Sequence, residues 1–417
     1  MVEILPFRGI RYSEDVDIGN VVAPPYDVIS PDEARKFHTL HDKNVIRLIL
    51  GEKYADDTPD NNPYTRARDY LKSWLEEGVL IRDEKPSIYI LEQKYSARIA
   101  GKDENRRMLG LISLVKLEEY EKNVILPHEE TLKKAIGDRL HLMGTTKTNL
   151  SQIFTMYSDP EKKVEEIIKE KIKAPPIYEV NSDGVANRFW KIDDAGVIAK
   201  VALEMKEKQL FIADGHHRYT TALMLRDQIR EENGSDAYDY TMMYYTNMAS
   251  GGITILPAHR LLSNVGFDIS QMWEVEKYFD VEKVGETVMF EKLKAMNREH
   301  HVFGMCFGGE CYFLHLKDES VMDNMANHGK SRDWKMLDVT VIHTLLIDLI
   351  VGKDHLSYII DESEAVDKSK EEGNVVIFVN PTKLEEVKRI AQNGEKMPGK
   401  ATYFYPKLLT GLVMNKI

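Results

Sequence analysis

The stretch Leu210-Phe211-Ile212-Ala213-Asp214-Gly215-His216-His217-Arg218-Tyr219 constrains this chain more than any other. Leu210 to Ala213 is a short apolar run of the kind that forms a buried strand. Tyr219 to Arg230 carries Ala222, Leu223, Leu225 and Ile229 at helical spacing. A strand must therefore give way to a helix within a few residues, at Gly215. Glycine permits a sharp turn and a close backbone approach, and the unpaired N–H groups at a helix start favour an anion. Asp214, His216, His217 and Arg218 crowd that corner. Two readings stand side by side. In one, the corner binds phosphate and performs chemistry. In the other, Asp214 caps the helix, Arg218 pairs with a distant acid, and the histidines are half-buried hydrogen-bonding groups.

Composition narrows the function classes. Lys and Arg number 56 against 68 Asp and Glu, a net charge of −12. So acidic a protein is a poor partner for duplex DNA, whose binding rests on phosphate neutralisation, and no nucleic-acid partner is expected. Cys306 and Cys311 flank a Gly308-Gly309 turn between two short strand patterns. A disulfide is open there, but two cysteines in 417 residues point to thiols in a reducing cytosol. Met1-Val2-Glu3-Ile4-Leu5-Pro6 shows no basic stretch followed by a long apolar one, and no run reaches bilayer-spanning length. The expectation is a cytoplasmic protein with no membrane partner; its oligomeric state, a homo-oligomer included, is left open.

The N-terminal part contributes several polar residues held by rigid backbone. Pro24-Pro25 fixes an extended segment that presents Tyr26 and Asp27. Asp27 is either an active-site acid or a turn residue bonding nearby amides. Ser30, Pro31 and Glu33 form a helix start. Asn44 to Leu50 reads as a strand, and Tyr64 to Glu77 as an amphipathic helix closed by Gly78. Ser87 to Arg98 and Arg107 to Lys116 read as a hairpin across a charged turn at Asp103 to Arg106. The segment Ile125 to Leu132 then sets His128 and Glu129 behind Pro127, with Asp138-Arg139 and Thr145 to Ser151, including Asn149, following. A histidine and a carboxylate can act as general base on a hydroxyl. A helix cap with solvated charges is the alternative.

Ser151 to Met156 and Tyr240 to Thr246 are strand patterns, and Asp159 to Ile172 and Asp194 to Lys206 are helical ones. His259-Arg260 either joins the site or forms a basic pair at a sheet edge. The texture changes beyond Asp268, which divides residues 1–265, a catalytic core with insertions, from a C-terminal α+β domain of residues 266–417. That domain holds a hairpin at Val302 to Leu316, an apolar helix at Val339 to Leu349 and a buried strand at Val375 to Val379. The tail sets Tyr403, Phe404 and Tyr405 among prolines and lysines, a composition unlike a disordered end. Residues 396–412 are therefore expected to pack back on the core. Lys400 and Lys407 would then reach an anionic ligand, or else decorate an aromatic clasp as solvated charges.

Gly215-His216-His217-Arg218-Tyr219 resembles the Gly-Cys-His-Arg turn of sulfiredoxins and the Gly-Glu-Arg-Arg box of ParB partition proteins. A wider set of blocks is similar to the domain-of-unknown-function family numbered ten-fifteen, over essentially the whole chain. These are Ala23-Pro24-Pro25-Tyr26-Asp27-Val28-Ile29, Leu126-Pro127-His128-Glu129, Asp138-Arg139, Ala213 to Arg218, and Thr402-Tyr403-Phe404-Tyr405-Pro406-Lys407. The resemblance implies an α/β fold of the α+β kind, with a ParB/sulfiredoxin-like mixed-sheet core, helices packed around it and a C-terminal α+β addition. It also implies nucleotide-phosphate handling at the turn and kinship with kinases of free serine. His216 stands where sulfiredoxins need cysteine, so thiol chemistry is not implied.

The implied activity is transfer of phosphate from ATP or ADP, with Mg²⁺, to the hydroxyl of free L-serine, giving O-phosphoserine. Gly215 and Arg218, with Arg139, Lys400 and Lys407, would hold phosphates. Asp214, His216, His217, Glu129 and Asp27 would be catalytic, Asp214 and Glu129 would place the metal, and Tyr26, His128, Asn149 and Tyr403 would contact the substrate. Two rivals remain. One is a nucleotide-binding regulatory module without turnover, which the ParB likeness allows. The other is a metal-dependent hydrolase with His128, His216 and His217 around Zn²⁺, suggested by histidine density.

Overall fold

The computed structural model describes residues 1–99, 102–131, 133–296, 300–325, 329–348 and 355–417. Among these residues the chain forms a mixed α/β fold around two large sheets. The first has nine strands. Its order is Ile125–Leu126, Leu210–Asp214, Ile153–Tyr157, Tyr240–Asn247, Lys102–Lys116, Ile88–Ile99, Val185–Ile192 and Tyr178–Ser182, with Ile4–Leu5 added beside Lys102–Lys116. Leu210–Asp214 runs parallel to Ile125–Leu126, and Tyr240–Asn247 runs parallel to Ile153–Tyr157; the other pairings are antiparallel. Both faces are covered, as the alternation along the central strand requires. Met108 and Ile112 join one apolar cluster with Trp74 and Leu142, while Leu109, Leu111 and Val115 join another with Val201, Tyr219 and Ala222.

The second sheet is antiparallel, with the order Phe279–Val284, Glu310–Leu316, Val302–Phe307, Val375–Phe378, His259–Leu262 and Leu356–Ile359. His259 and Arg260 lie inside it, 2 % and 0 % exposed, so they form neither an edge pair nor part of the corner at Gly215. The cysteines, expected as thiols, are bonded to each other across the hairpin of this sheet.

Several local expectations fail for identifiable reasons. Asn44 to Leu50 is not a strand: Ile46–Ile49 is a single helical turn. The Asn44 side chain accepts the Ile46 N–H at 2.9 Å and donates to the Asn20 and Val22 carbonyls, and these local bonds displace the extended form. The hairpin is longer than its sequence pattern. Glu104 and Asn105 pair with Ala97 and Ser96 inside the ladder, so the charged residues are strand, and the reversal at 100–101 lies outside the described residues. The helix expected over Asp159 to Ile172 narrows to Lys163–Ile168, because Asp159 turns inward to the Val164 N–H and pairs with Lys208 at 3.0 Å. The apolar helix expected at Val339 to Leu349 runs Asp338–Ile342 and widens into a π-helical turn at His343–Ile347; its expected end at Leu349 lies outside the described residues, as does Leu132.

The C-terminal segment crosses back over the first sheet. Tyr403–Tyr405 pairs with Thr254–Leu256, Thr410 bridges Ala23, Met414 bridges Ile10, and Asn415–Lys416 pairs with Thr148–Asn149. Phe404, Leu408, Leu409, Leu412, Val413 and Met414 are each at most 5 % exposed. At roughly 1.5–3 kcal/mol per buried side chain, these six contribute up to about 9–18 kcal/mol, as much as the whole net stability of a domain, roughly 5–15 kcal/mol. A chain ending at Ala401 is therefore expected to lose its cooperative thermal transition. A truncated chain that melts at the full-length Tm by calorimetry would contradict this packing account.

Candidate active site

The site grows from the end of the Leu210–Asp214 strand. Its pairing with Ile153–Tyr157 slips between Ile212 and Asp214, and such an irregularity re-aims the side chain that follows it. Gly215 comes next with φ +92°, in the left-handed region that favours glycine. A Cβ there would also stand 2.9 Å from the Arg218 guanidinium, so a side chain would have to displace it as well as adopt a strained φ. The helix His216–Asn233 starts at once, and its N-cap, Gly215, has no side chain with which to cap it. Asp214 does not cap the helix; it accepts the N–H of Gly215 at 2.9 Å. The helix start keeps its partial positive charge facing the recess.

Two cations converge on Asp214. Lys407 Nζ lies 3.5 Å and Arg218 Nη2 3.8 Å from its Oδ2. Burial works against the Asp214 charge, but Lys407, Arg218 and the Gly215 amide outweigh it and hold the carboxyl below its ordinary range. Lys407 shows the converse: burial opposes its charge, while Asp214, Asp27 and Tyr403 raise its pKa above the ordinary value. Its ammonium also lies 4.5 Å from the Tyr403 ring centroid. Arg218 is 7 % exposed; its Nη1 donates to the Gln152 carbonyl and to Ser151 Oγ at 3.2 Å, and its buried Nε has no hydrogen-bond partner. A buried guanidinium with an unmet donor is costly unless a ligand completes it.

The histidines divide by depth. His128 Nδ1 lies 2.7 Å from the Ile212 carbonyl, which can only accept, so Nδ1 carries the proton and Nε2 accepts from Thr402 Oγ1 at 3.0 Å. Burial pushes its pKa down to about 4, and the ring is neutral. His216 Nε2 accepts the His128 backbone N–H at 3.2 Å, leaving its Nδ1–H directed at Glu129 Oε2, 3.6 Å away. Burial first, then the neighbouring His128, hold His216 well below its ordinary value. A neutral ring turned to Glu129 positions that carboxylate. His217 is half-buried, and burial lowers its pKa while Asp27 opposes the shift.

Glu129 and Asp27 complete the recess. Burial and then the Asp214 charge push Glu129 above the ordinary range, against Lys400, Lys407 and the Lys400 backbone N–H. Asp27 sits on the open side, solvent-exposed yet surrounded by protein elsewhere. Crowding and then Asp214 raise its pKa, with Arg218 and Lys407 opposing. Among the described residues, neither acid is ion-paired to a lysine or arginine.

The Arg139 guanidinium is bonded to Asp138 and to the Ile49 carbonyl and stacks 3.9 Å from the Tyr26 ring, so it braces the loop that carries Asp27. Asn149 is buried and accepts from Asn415 at 3.0 Å; it lines a small cavity of about 40 Å³ together with Arg139 and Arg218. Lys400 is exposed, with φ +57°. Tyr403 and Lys407 also line a neighbouring cleft of about 240 Å³ with Tyr405, Gln93 and Asn187. Sequence reasoning assigned no role to Thr402, Ser151 and Gln152, which hold His128 and Arg218. All three sit in or beside stretches that already stood out, but only tertiary structure shows their partners. Among the described residues, no three His, Cys, Asp or Glu side chains converge to hold a metal.

By sequence, the family described as protein of unknown function DUF1015 matches residues 4–340. The chain belongs to this family. No curated protein matches it. Among solved structures it is similar to SbnI with a C-terminal truncation from Staphylococcus aureus, at 12 % identity and TM-score 0.37, covering 72 % of this chain and 85 % of that one. It is also similar to a variant of a free serine kinase in complex with ADP, at 13 % identity and TM-score 0.36, covering 73 % and 92 %. A conserved hypothetical protein from Pyrococcus furiosus follows at 12 % identity and TM-score 0.33, covering 73 % and 95 %. Likeness at these scores assigns no chemistry to the DUF1015 chain, whose function must be argued from its own side chains.

Two outcomes follow from the geometry. Glu129 has a folded-state pKa above the 4.5 of a free side chain, so its ionised form costs stability above that pH, and the cost disappears below it. Glu129→Gln is expected to raise Tm at pH 7 and to leave it nearly unchanged at pH 4; a lower Tm at pH 7 would contradict the assignment. Gly215→Ala meets both a left-handed φ and the Arg218 guanidinium, and is expected to destabilise by about 1–3 kcal/mol in urea unfolding. An unchanged midpoint would show that the turn is not constrained as described.

Proposed function

We propose that this recess transfers a phosphoryl group from ATP or ADP to a small-molecule hydroxyl, with free L-serine as the acceptor. One observation carries the reading: Lys407 and Arg218 meet at Asp214 beside the start of the His216–Asn233 helix, with two acids of raised pKa next to them. Phosphoryl transfer asks a protein mainly for positioning and charge neutralisation, and this arrangement supplies both.

A nucleotide phosphate at the start of the His216–Asn233 helix would take its N–H groups, the Lys407 ammonium and the unmet Arg218 Nε. Asp214, which otherwise holds those cations, stays ionised. Asp214, with Glu129 beside it, would hold Mg²⁺; hard carboxylate oxygens fit an ion that takes one or two protein carboxylates besides phosphate oxygens and water. When bound, the ion neutralises charge along the phosphates. Glu129, oriented by His216 Nδ1–H and the Lys400 amide, accepts the proton of the acceptor hydroxyl. The hydroxyl oxygen forms the new bond to phosphorus, the bond to the leaving nucleotide oxygen breaks, and Lys407 and Arg218 face the charge that develops there. Asp27, on the open side, offers its carboxylate to the acceptor's ammonium.

Purified protein incubated with L-serine, Mg²⁺ and either ATP or ADP is expected to form O-phosphoserine, detected by mass spectrometry. Glu129→Gln is expected to lower kcat by about 10²–10⁴-fold while leaving nucleotide affinity within about threefold. Nucleotide binding without phosphorylated serine from either donor would overturn the kinase reading and favour a regulatory module.

A further inference from the structure

A second cavity lies apart from this recess. It has a volume of about 400 Å³ and lies in the C-terminal half, between the turn at His300-His301, the Arg332–Lys335 helix and the start of the Leu384–Gln392 helix. That volume lies within the range of small-ligand sites. Its walls are mostly charged, and the two signs nearly balance. Arg332, Lys383 and Arg389 face the carboxylates of Glu319, Asp333, Asp338 and Glu386, leaving one negative charge. His301 cancels it when protonated: its Nδ1 lies 2.7 Å from Asp338 Oδ1, and although burial opposes the charge, Asp338 holds its pKa above the ordinary value. So balanced a cavity disfavours a nucleotide or a free anion.

The pairing inside it is uneven. Arg332 reaches Asp323 at 3.0 Å and Glu319 at 3.5 Å, and Arg389 reaches Asp333 at 3.5 Å from a largely exposed side chain. Glu386 has no cationic partner among the described residues; its carboxylate accepts only the Lys383 N–H, at 2.8 Å. Burial, and more weakly Asp338, push its pKa up. A half-buried carboxylate beside a second one is a place for a ligand cation. Arg389 follows Glu386 by three positions in the same helix, so the two project from one face about 5–6 Å apart at Cβ. That spacing suits a molecule whose ammonium and carboxylate are separated by one carbon.

We infer that this cavity binds a small zwitterion of the α-amino-acid class, with its ammonium against Glu386 and Asp338 and its carboxylate against Arg389. The site stands apart from the Asp214 recess and does not depend on the kinase reading.

The full-length protein is tested against the twenty standard amino acids by thermal shift. The strongest binder is then titrated calorimetrically into wild type, Glu386→Gln and Lys407→Met, with n-butylamine and acetate as single-charge controls. Glutamine keeps an oxygen for the Lys383 N–H while removing the charge, so the Glu386→Gln protein should fold. At least one amino acid is expected to raise Tm, to bind about tenfold or more weaker to Glu386→Gln, and to bind Lys407→Met within about twofold of wild type. No stabilising amino acid, binding lost with Lys407→Met but kept with Glu386→Gln, or butylamine binding as well as the amino acid, would each overturn the inference.

Discussion

Asp214 shares its carboxylate between Lys407 and Arg218, and this contact ties the two ends of the structure together. Arg218 stands in the first turn after the Leu210–Asp214 strand, whereas Lys407 arrives on the C-terminal segment, 193 residues from Asp214 in sequence. Desolvating three charges is expensive, and mutual pairing meets that cost only because a lysine, an arginine and an amide all serve one carboxylate. Asp27 and Glu129 lack such partners, so their pKa values rise where that of Asp214 falls. The functional reading rests on this contrast: one acid fixed in its charged form, and two beside it poised to bind or accept a proton.

The C-terminal half and the strand His259–Leu262 support the tail. Thr382 donates to the Ala401 carbonyl at 2.7 Å, Arg260 to the Lys400 carbonyl at 3.3 Å, and Trp334 to the Lys396 carbonyl at 2.8 Å. All three anchors hold the chain just before Thr402, which fixes His128, and Tyr403, which faces Lys407. The buried Arg260 thus has a structural use, although its Nε remains without a partner. The loop Pro381–Lys383 also lines the charged cavity of that half, so the second half both braces the recess and carries a pocket of its own.

Where local physics decides structure, the sequence was informative. The apolar run Leu210 to Ala213, the glycine after it, and the Ser30-Pro31-Glu33 capping box all fold as their chemistry dictates. Asn44 to Leu50 misled because its apolar residues suit a strand, while the decisive bonds come from one asparagine side chain, to the Ile46 N–H nearby and to the Asn20 carbonyl 24 residues earlier. The same holds at the site. Asp214, Gly215 and Arg218 stand out by composition alone, but no local pattern says that His216 turns to Glu129, or that Arg139 spends its guanidinium on Asp138 and Tyr26. Those choices follow from burial and from which hydrogen bonds remain to be met, and both are tertiary properties.

If the recess handles a nucleotide, the cations at Asp214 receive its phosphate. Lys407→Met keeps the length of the side chain and removes its charge, so the affinity of ADP for the wild-type and Lys407→Met proteins, measured by titration calorimetry, is the direct test. A desolvated ammonium on a phosphate predicts at least about tenfold weaker binding in the variant, with the affinity of both proteins falling as salt rises. Equal affinity in a folded Lys407→Met protein would contradict the account and move the phosphate site away from Asp214.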